Sequence, residues 1–240
     1  EYFETLLSGW GIEAELKEIN VTETIPPHVL TPLIQLLYTG SCDLAMNGVV
    51  LGDLLIVLDM ILLPEIVTEL IPWIKEQKMK PNDSLGMYCA LTRTPQMSED
   101  IVQFMGYLES MVDHQFLRLR TSEVFLNMPF DQLKSICSRD TLWIPSEDMV
   151  CVMIEEWINH DPSDRTQYIE EILETVVRAA FVSADCFKNI QNRNLNREFA
   201  TSLVSVKYCS AEATSSQERS GIWNDKQNIR LVPPEFNTLL

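Results

Sequence analysis

The side chains able to do chemistry are few, and their spacing does not bring them together. The three histidines, His28, His114 and His160, form no H-E-x-x-H or H-x-x-x-H pattern, so no helix face presents two imidazoles to a metal ion. The six cysteines, Cys42, Cys89, Cys137, Cys151, Cys186 and Cys209, contain no C-x-x-C pair, and zinc-type spacing is absent. Cys137 and Cys151 lie on apolar helical stripes, where a thiol is inert packing rather than a nucleophile. Glu155-Glu156 and Glu170-Glu171 are adjacent acid pairs; neighbours on a helix diverge by about 100°, so they read as solvated faces rather than as acid and base. With eight glycines and no G-x-x-x-x-G-K-[ST] run, no phosphate cradle is present. The expectation is a protein with no catalytic residues, no metal site and no cofactor. His160, closing a helix at Trp157-Ile158-Asn159-His160-Asp161, is read as a favourable helix-end charge.

Charge narrows the partners. Eighteen Lys and Arg against 35 Asp and Glu leave a net charge of −17 over 240 residues. Nucleic acid and anionic membrane surfaces are excluded as partners, and proteins with basic patches are favoured. The longest apolar stretch, Val49 to Pro64, is broken by Gly52, Asp53 and Asp59 and is too short and charged to cross a bilayer. No signal peptide is visible, and dispersed cysteines suit a reducing compartment. Asn20-Val21-Thr22 and Asn82-Asp83-Ser84 match the glycosylation sequon, a pattern common by chance. A cytoplasmic or nuclear protein is expected. Because residue 1 is Glu rather than Met, the chain is expected to start inside a longer product.

The elements that must carry these residues are mostly helical, with 46% apolar residues at recurrent helical spacing. A short helix over Tyr2 to Leu7 and one strand around Lys17 to Val21 are expected first. Pro26-Pro27 opens a helix carrying Val29, Leu30, Leu33, Ile34, Leu36, Leu37 and Tyr38, ended by Thr39-Gly40. A nearly all-apolar helix follows from Val49 to Leu58. Pro64 starts another, to about Lys78, in which Pro72 predicts a kink or interruption. Lys78 to Asn82 is a turn and a domain boundary.

Beyond it, helices are expected at Leu85 to Leu91 and Glu99 to Arg118, with short ones after Ser122 and Pro129. Ser146 is expected to cap, through its hydroxyl, a helix burying Val150, Ile154, Trp157 and Ile158. A last helix is expected from Arg165 to Ala180. After Tyr208 the chain turns polar and Ser-rich, as a linker or tail would. Helix pairs joined by short turns predict an α-solenoid-like stack.

Two stretches resemble a known pair of modules. Tyr2-Phe3 with Leu37-Tyr38-Thr39-Gly40 resembles the second half of a BTB/POZ domain, and Val49 to Ile74 its closing helices. From Asn82 the chain is similar to a BACK domain. The similarity runs through Ser122-Glu123-Val124-Phe125-Leu126, Leu133, Ile136, Leu142, Ser146-Glu147, Val150, Trp157 to Asp161, Arg165 and Val177-Arg178. Residues 1–80 are thus read as the C-terminal part of an α/β BTB/POZ unit, 81–205 as an all-α BACK helical-hairpin stack, and 206–240 as linker or tail.

Proteins of this kind, often kelch-like, are substrate adaptors. The resemblance implies a BTB domain that dimerises and grips the third cullin of a ubiquitin ligase, and a BACK domain that holds out a substrate-binding kelch propeller. The family's cullin-contacting motif (apolar, any residue, Glu) falls on Gly11-Ile12-Glu13. Glu13 fits it, while Gly11 has no apolar side chain, leaving Trp10 or Ile12 to compensate. Trp10, Ile12 and Glu13 are the candidate partner-binding residues. No Gly-Gly, Tyr and Trp repeat follows residue 210, so the substrate-reading domain is expected outside this chain, and the half of the BTB domain that carries much of the dimer interface precedes it. A scaffold of the same fold that binds no cullin is the alternative. Trp157 is expected in the core, Trp143 in a connecting turn under the next helix or against a partner, and Trp10 in a loop as an interface anchor.

Overall fold

A computed structural model of the chain describes residues 25–41, 47–77, 79–95, 97–193 and 199–205. Among these residues every regular element is helical. The first five α-helices are α1 (Pro27–Thr39), α2 (Gly48–Met60), α3 (Pro64–Glu76), α4 (Pro81–Leu91) and α5 (Glu99–Gln115). A 3-10 turn at Phe116–Leu119 precedes α6 (Glu123–Leu126), α7 (Phe130–Cys137) and α8 (Glu147–His160). Then come α9 (Pro162–Arg165), a 3-10 turn at Thr166–Tyr168, α10 (Ile169–Thr175), a 3-10 turn at Ala179–Phe181 and α11 (Ala184–Arg193). Proline starts α1, α3, α4 and α9 at a position whose N–H has no helical partner anyway. The chain divides into two compact units, Glu1–Val112 and Asp113–Leu240.

In the first unit, α2 is the central helix, buried along Leu51, Leu54, Leu55, Val57 and Leu58. It packs on α4 through glycines: a methyl at Gly52 would stand 2.6 Å from Ala90 Cβ, and one at Gly86 3.1 Å from Val49 Cγ2. Losing the side chain lets the two backbones approach more closely than a pair of larger residues would permit. On the other side of α2, the buried carboxylate of Asp53 lies 2.8 Å from His28 Nε2 of α1 and 3.7 Å from the Arg93 guanidinium. Further along, Asp59 Oδ2 accepts the Ser98 N–H at 3.1 Å, which ties the end of α2 to the start of α5. The turn after α2 is closed by Leu62 N–H to Asp59 O (3.1 Å) and Leu63 N–H to Leu58 O (3.0 Å), with Leu62 at φ +61°. This is the paired-bond helix ending that glycine ordinarily occupies.

In the second unit, Trp157 is fully buried and holds its neighbours by several bonds. Its Nε1–H donates to Met128 O at 2.9 Å. Arg165 stands 4.2 Å above its ring and donates to its carbonyl oxygen at 2.6 Å. Phe130 and Tyr168 stack alongside, with centroids 4.3 Å apart. At the head of the unit, Phe116 and Phe125 meet edge to face at 5.7 Å. There the Asp113 carboxylate takes Arg139 at 2.8 Å and the Thr141 hydroxyl at 2.5 Å.

Several sequence expectations need correction. The helix over Arg165 to Ala180 is broken into α9, α10 and two 3-10 turns. Glu147, buried in the first turn of α8, accepts the Arg178 N–H at 3.0 Å, so that amide is unavailable to a continuing helix. Ser146 does stand at the N-cap of α8, but its hydroxyl makes no cap bond; its carbonyl takes the Met149 N–H instead. Glu155, read as part of a solvated face, is 0% exposed, because the apolar stripe of α8 is wide enough to enclose it. Helix α3 continues through Pro72 without interruption. Both Pro72 and Thr68, whose carbonyl loses its donor, are exposed, so the carbonyl left without its helical donor is not a buried one. Helix α4 starts at Pro81 rather than Leu85, and α5 ends at Gln115 before passing into a 3-10 turn. The helix over Tyr2 to Leu7, the strand around Lys17 to Val21 and the tail after Tyr208 lie outside the described residues.

Candidate protein-interaction surface

The candidate site grows from an excess of apolar residues on α1. A helix of this length buries one face, and here that face is Val29, Leu33 and Leu36. Ile34, Leu37 and Tyr38 are displaced round the helix by three- and four-residue steps and remain 48%, 40% and 87% exposed. Burial of such side chains is worth about 1.5–3 kcal/mol each, so leaving three together in water is costly unless another surface covers them. Tyr38 combines a large apolar ring with a hydroxyl, which suits an interface that is half wet.

The last turn of α1 shapes what lies beside this strip. Gly40 adopts φ +66° and its N–H returns to Leu36 O at 2.9 Å, ending the helix sharply. The Thr39 hydroxyl donates to Gln35 O at 2.7 Å and accepts the Ser41 N–H at 3.2 Å, which fixes the exit path. Across from it, α3 buries Val67, Leu70, Ile71 and Ile74. The Gly40–Ser41 turn and Leu36 then face Ile66, Leu70 and Trp73 of α3 across a cavity of about 340 Å³, with Glu69 on its wall. Trp73 is half-buried and Glu69 exposed. An apolar hollow with one carboxylate beside it can accept an aliphatic or aromatic side chain flanked by a cation.

The sequence-predicted contact residues Trp10, Ile12 and Glu13 lie outside the described residues. Trp157 is in the core as expected. Trp143 is half-buried and covers the exposed His114, with ring centroids 3.9 Å apart. His160 sits at the end of α8, its Nε2 3.2 Å from Asn127 Oδ1. The exposed strip on α1 was present in the sequence as seven apolar residues within one helix, more than one face can bury. That surplus is the sequence signal of an apolar face left over after the core is filled.

Electrostatics are modest elsewhere. Burial lowers the Arg165 guanidinium below its ordinary value, and Asp161 and Asp164 oppose that shift. No group of three or more His, Cys, Asp or Glu side chains able to hold a metal ion occurs among the described residues, and no described helix is long and apolar enough to cross a membrane.

Comparison with known proteins adds the family. Residues 98–192 match the BACK family, described as "BTB And C-terminal Kelch". The chain is similar to Kelch-like protein 1 of Mus musculus, 22% identical over 195 residues, covering 81% of this chain and 25% of that protein. It is also similar to Kelch-like protein 2 of Rattus norvegicus and of Homo sapiens, each 24% identical over 175 residues, covering 73% of this chain and 28% of theirs. The chain thus spans about a quarter of the length of these curated relatives. The BACK match over residues 98–192, the helical architecture and this similarity together support a kinship with the BTB–BACK proteins of the kelch-like family.

Proposed function

We propose that this chain is a non-enzymatic adaptor that links a cullin scaffold, the third cullin, to a protein substrate held by a domain outside the chain. The observation that carries the reading is the uncovered apolar strip Ile34, Leu37 and Tyr38 beside the Trp73 hollow, within the part of the chain that resembles a BTB domain. Kinship with kelch-like proteins supports the adaptor role. The net charge of −17 favours a partner surface rich in Lys and Arg. In this reading residues 1–80 are the C-terminal part of the BTB domain, 81–205 the BACK domain and 206–240 a linker. Trp10, Ile12 and Glu13 extend the cullin contact, pairing with a second copy runs through the part of the BTB domain outside residues 1–80, and the protein works in the cytoplasm or nucleus.

The test is isothermal titration of the chain against the N-terminal domain of the third cullin. Tyr38→Ala is expected to weaken binding by about tenfold or more, as truncation of an aromatic anchor does, with no change in Tm. Glu13→Ala is expected to weaken it less. A second reading, a scaffold that assembles proteins without a cullin, is favoured by Gly11, which leaves the motif position without an apolar side chain. Absence of binding heat with correctly folded protein selects that second reading.

A further inference from the structure

Two thiols in the second unit meet across helices that no other function on the molecule requires to be joined. Cys151 lies in the second turn of α8 and is 0% exposed; Cys186 lies in the first turn of α11 and is 6% exposed. The Cys186 thiol donates towards Asp148 O at 3.9 Å, one helical turn before Cys151, which puts the two sulfurs on the same patch of α8. The start of α11 is held there by two more bonds: Ser183 N–H to Asp148 Oδ1 at 2.7 Å, and Cys186 N–H to Ser183 Oγ at 3.1 Å. Neither cysteine is in a disulfide. We infer that Cys151 and Cys186 form an oxidisable pair, which peroxide converts to a disulfide that clamps α11 onto α8.

The geometry gives the two thiols different parts. Cys186 sits at the third position of a ten-residue helix and is the more accessible of the two, 6% exposed against 0% for Cys151. Cys151 is the opposite. Its hydrogen bond with Cys186 comes first, then burial, then the nearby charges of Cys186, Glu147 and Asp148, and all raise it well above the ordinary thiol value. The more accessible Cys186 thiol therefore reacts first with hydrogen peroxide: its sulfur attacks one oxygen, the O–O bond breaks to give a Cys186 sulfenic acid, and the departing oxygen leaves as water with the thiol's proton. The Cys151 sulfur then attacks the sulfenic sulfur. The S–S bond forms, the S–O bond breaks, and the departing oxygen leaves as a second water with the Cys151 proton. Two thiols and one peroxide thus give one disulfide and two waters, and the electrons go to the peroxide oxygens.

The disulfide would close the chain between Cys151 and Cys186, whose thiols share a hydrogen bond, by drawing the two sulfurs together to the roughly 2.05 Å bond. Buried Cys137, with no second cysteine nearby in sequence or on its helix turn, and Cys89 in the other unit serve as internal controls.

The test treats the purified full chain with hydrogen peroxide and maps its peptides without reducing agent. A cross-linked pair of peptides containing Cys151 and Cys186, lighter by two hydrogens, is expected, together with a rise in Tm of about 4 °C or more that dithiothreitol reverses. In Cys151→Ser the sulfenic acid on Cys186 is expected to persist and to be captured by dimedone. The proposal is overturned if the linked peptides appear only when the same treatment is given in urea, or if native protein oxidises at the other cysteines first. Dimedone capture at Cys151 rather than Cys186 in the wild-type chain overturns the assigned roles. The wild-type map decides the question even if a serine variant does not fold.

Discussion

The backbone of Gly48, at the first position of α2, lies so close to Asp83 in α4 that a methyl group on Gly48 would overlap the Asp83 carbonyl. The two helices are therefore set at a separation that only glycine permits. Gly48→Ala is expected to destabilise the protein by about 3 kcal/mol, at the upper end for overpacking, because the obstacle is backbone and cannot rotate away. Gly106, in the middle of α5, has nothing within 4 Å of an added methyl. Gly106→Ala is expected to stabilise by up to about 1 kcal/mol through helix propensity alone. Urea unfolding of both variants checks the pair; equal effects would show that close approach is not what holds α2 and α4.

Leu62 is the one described residue other than glycine with positive φ, at +61°, and it is 63% exposed. It has little packing to lose and pays the left-handed strain in full. Leu62→Gly is expected to stabilise by about 0.5–1 kcal/mol, the strain released exceeding the greater freedom glycine adds to the unfolded chain. A thermal melt that falls rather than rises would mean that the Leu62 side chain is packed.

Asp113 holds Arg139 and Thr141 together with its side chain almost fully enclosed. Asp113→Ala removes the carboxylate that the half-buried Arg139 guanidinium and the Thr141 hydroxyl share, and a loss of about 3 kcal/mol is expected. Replacing both charges, with Asp113→Leu and Arg139→Met, is expected to recover most of that loss. Chemical denaturation of the single and double variants measures the difference.

Asp161, which joins α8 to α9, has its carboxyl held below the ordinary value of 3.8. The Ser163 hydroxyl is the main cause, donating at 2.7 Å, with the Asp164 backbone N–H, Arg165 and His160 adding to it. A carboxyl lowered by folding contributes stability above its unfolded value, and that contribution disappears as pH falls through the lower folded value. Ser163→Ala is expected to move the Asp161 titration, followed by NMR, back up towards 3.8. An unmoved midpoint would assign the shift to the backbone and Arg165 instead.

Most of the helix boundaries were legible in the chain because they are made locally. Pro27 and Pro64 start their helices, and the Gly40 turn ends α1, without help from distant residues, whereas Pro81, read as part of a turn, opens α4. The apolar phase along Val150, Ile154, Trp157 and Ile158 likewise placed α8 and its buried face. Trp10, Ile12 and Glu13, the contact residues drawn from family likeness, fall outside what the structure describes. The surplus of apolar residues on α1 was visible, but which three of them stay in water was not, since that depends on where α2 and α3 pack.

From the order of residue types alone came a helical, acidic protein with Trp157 in its core, because periodicity, prolines and charge are properties of neighbours in sequence. Only the tertiary structure could bury Glu155, bring the Cys186 thiol over the carbonyl of Asp148, let Glu147 capture the Arg178 amide, and open the hollow between Leu36 and Trp73. Each of these joins residues about thirty or more positions apart or is set by a helix packed from elsewhere, and short-range spacing carries no record of which distant segment arrives.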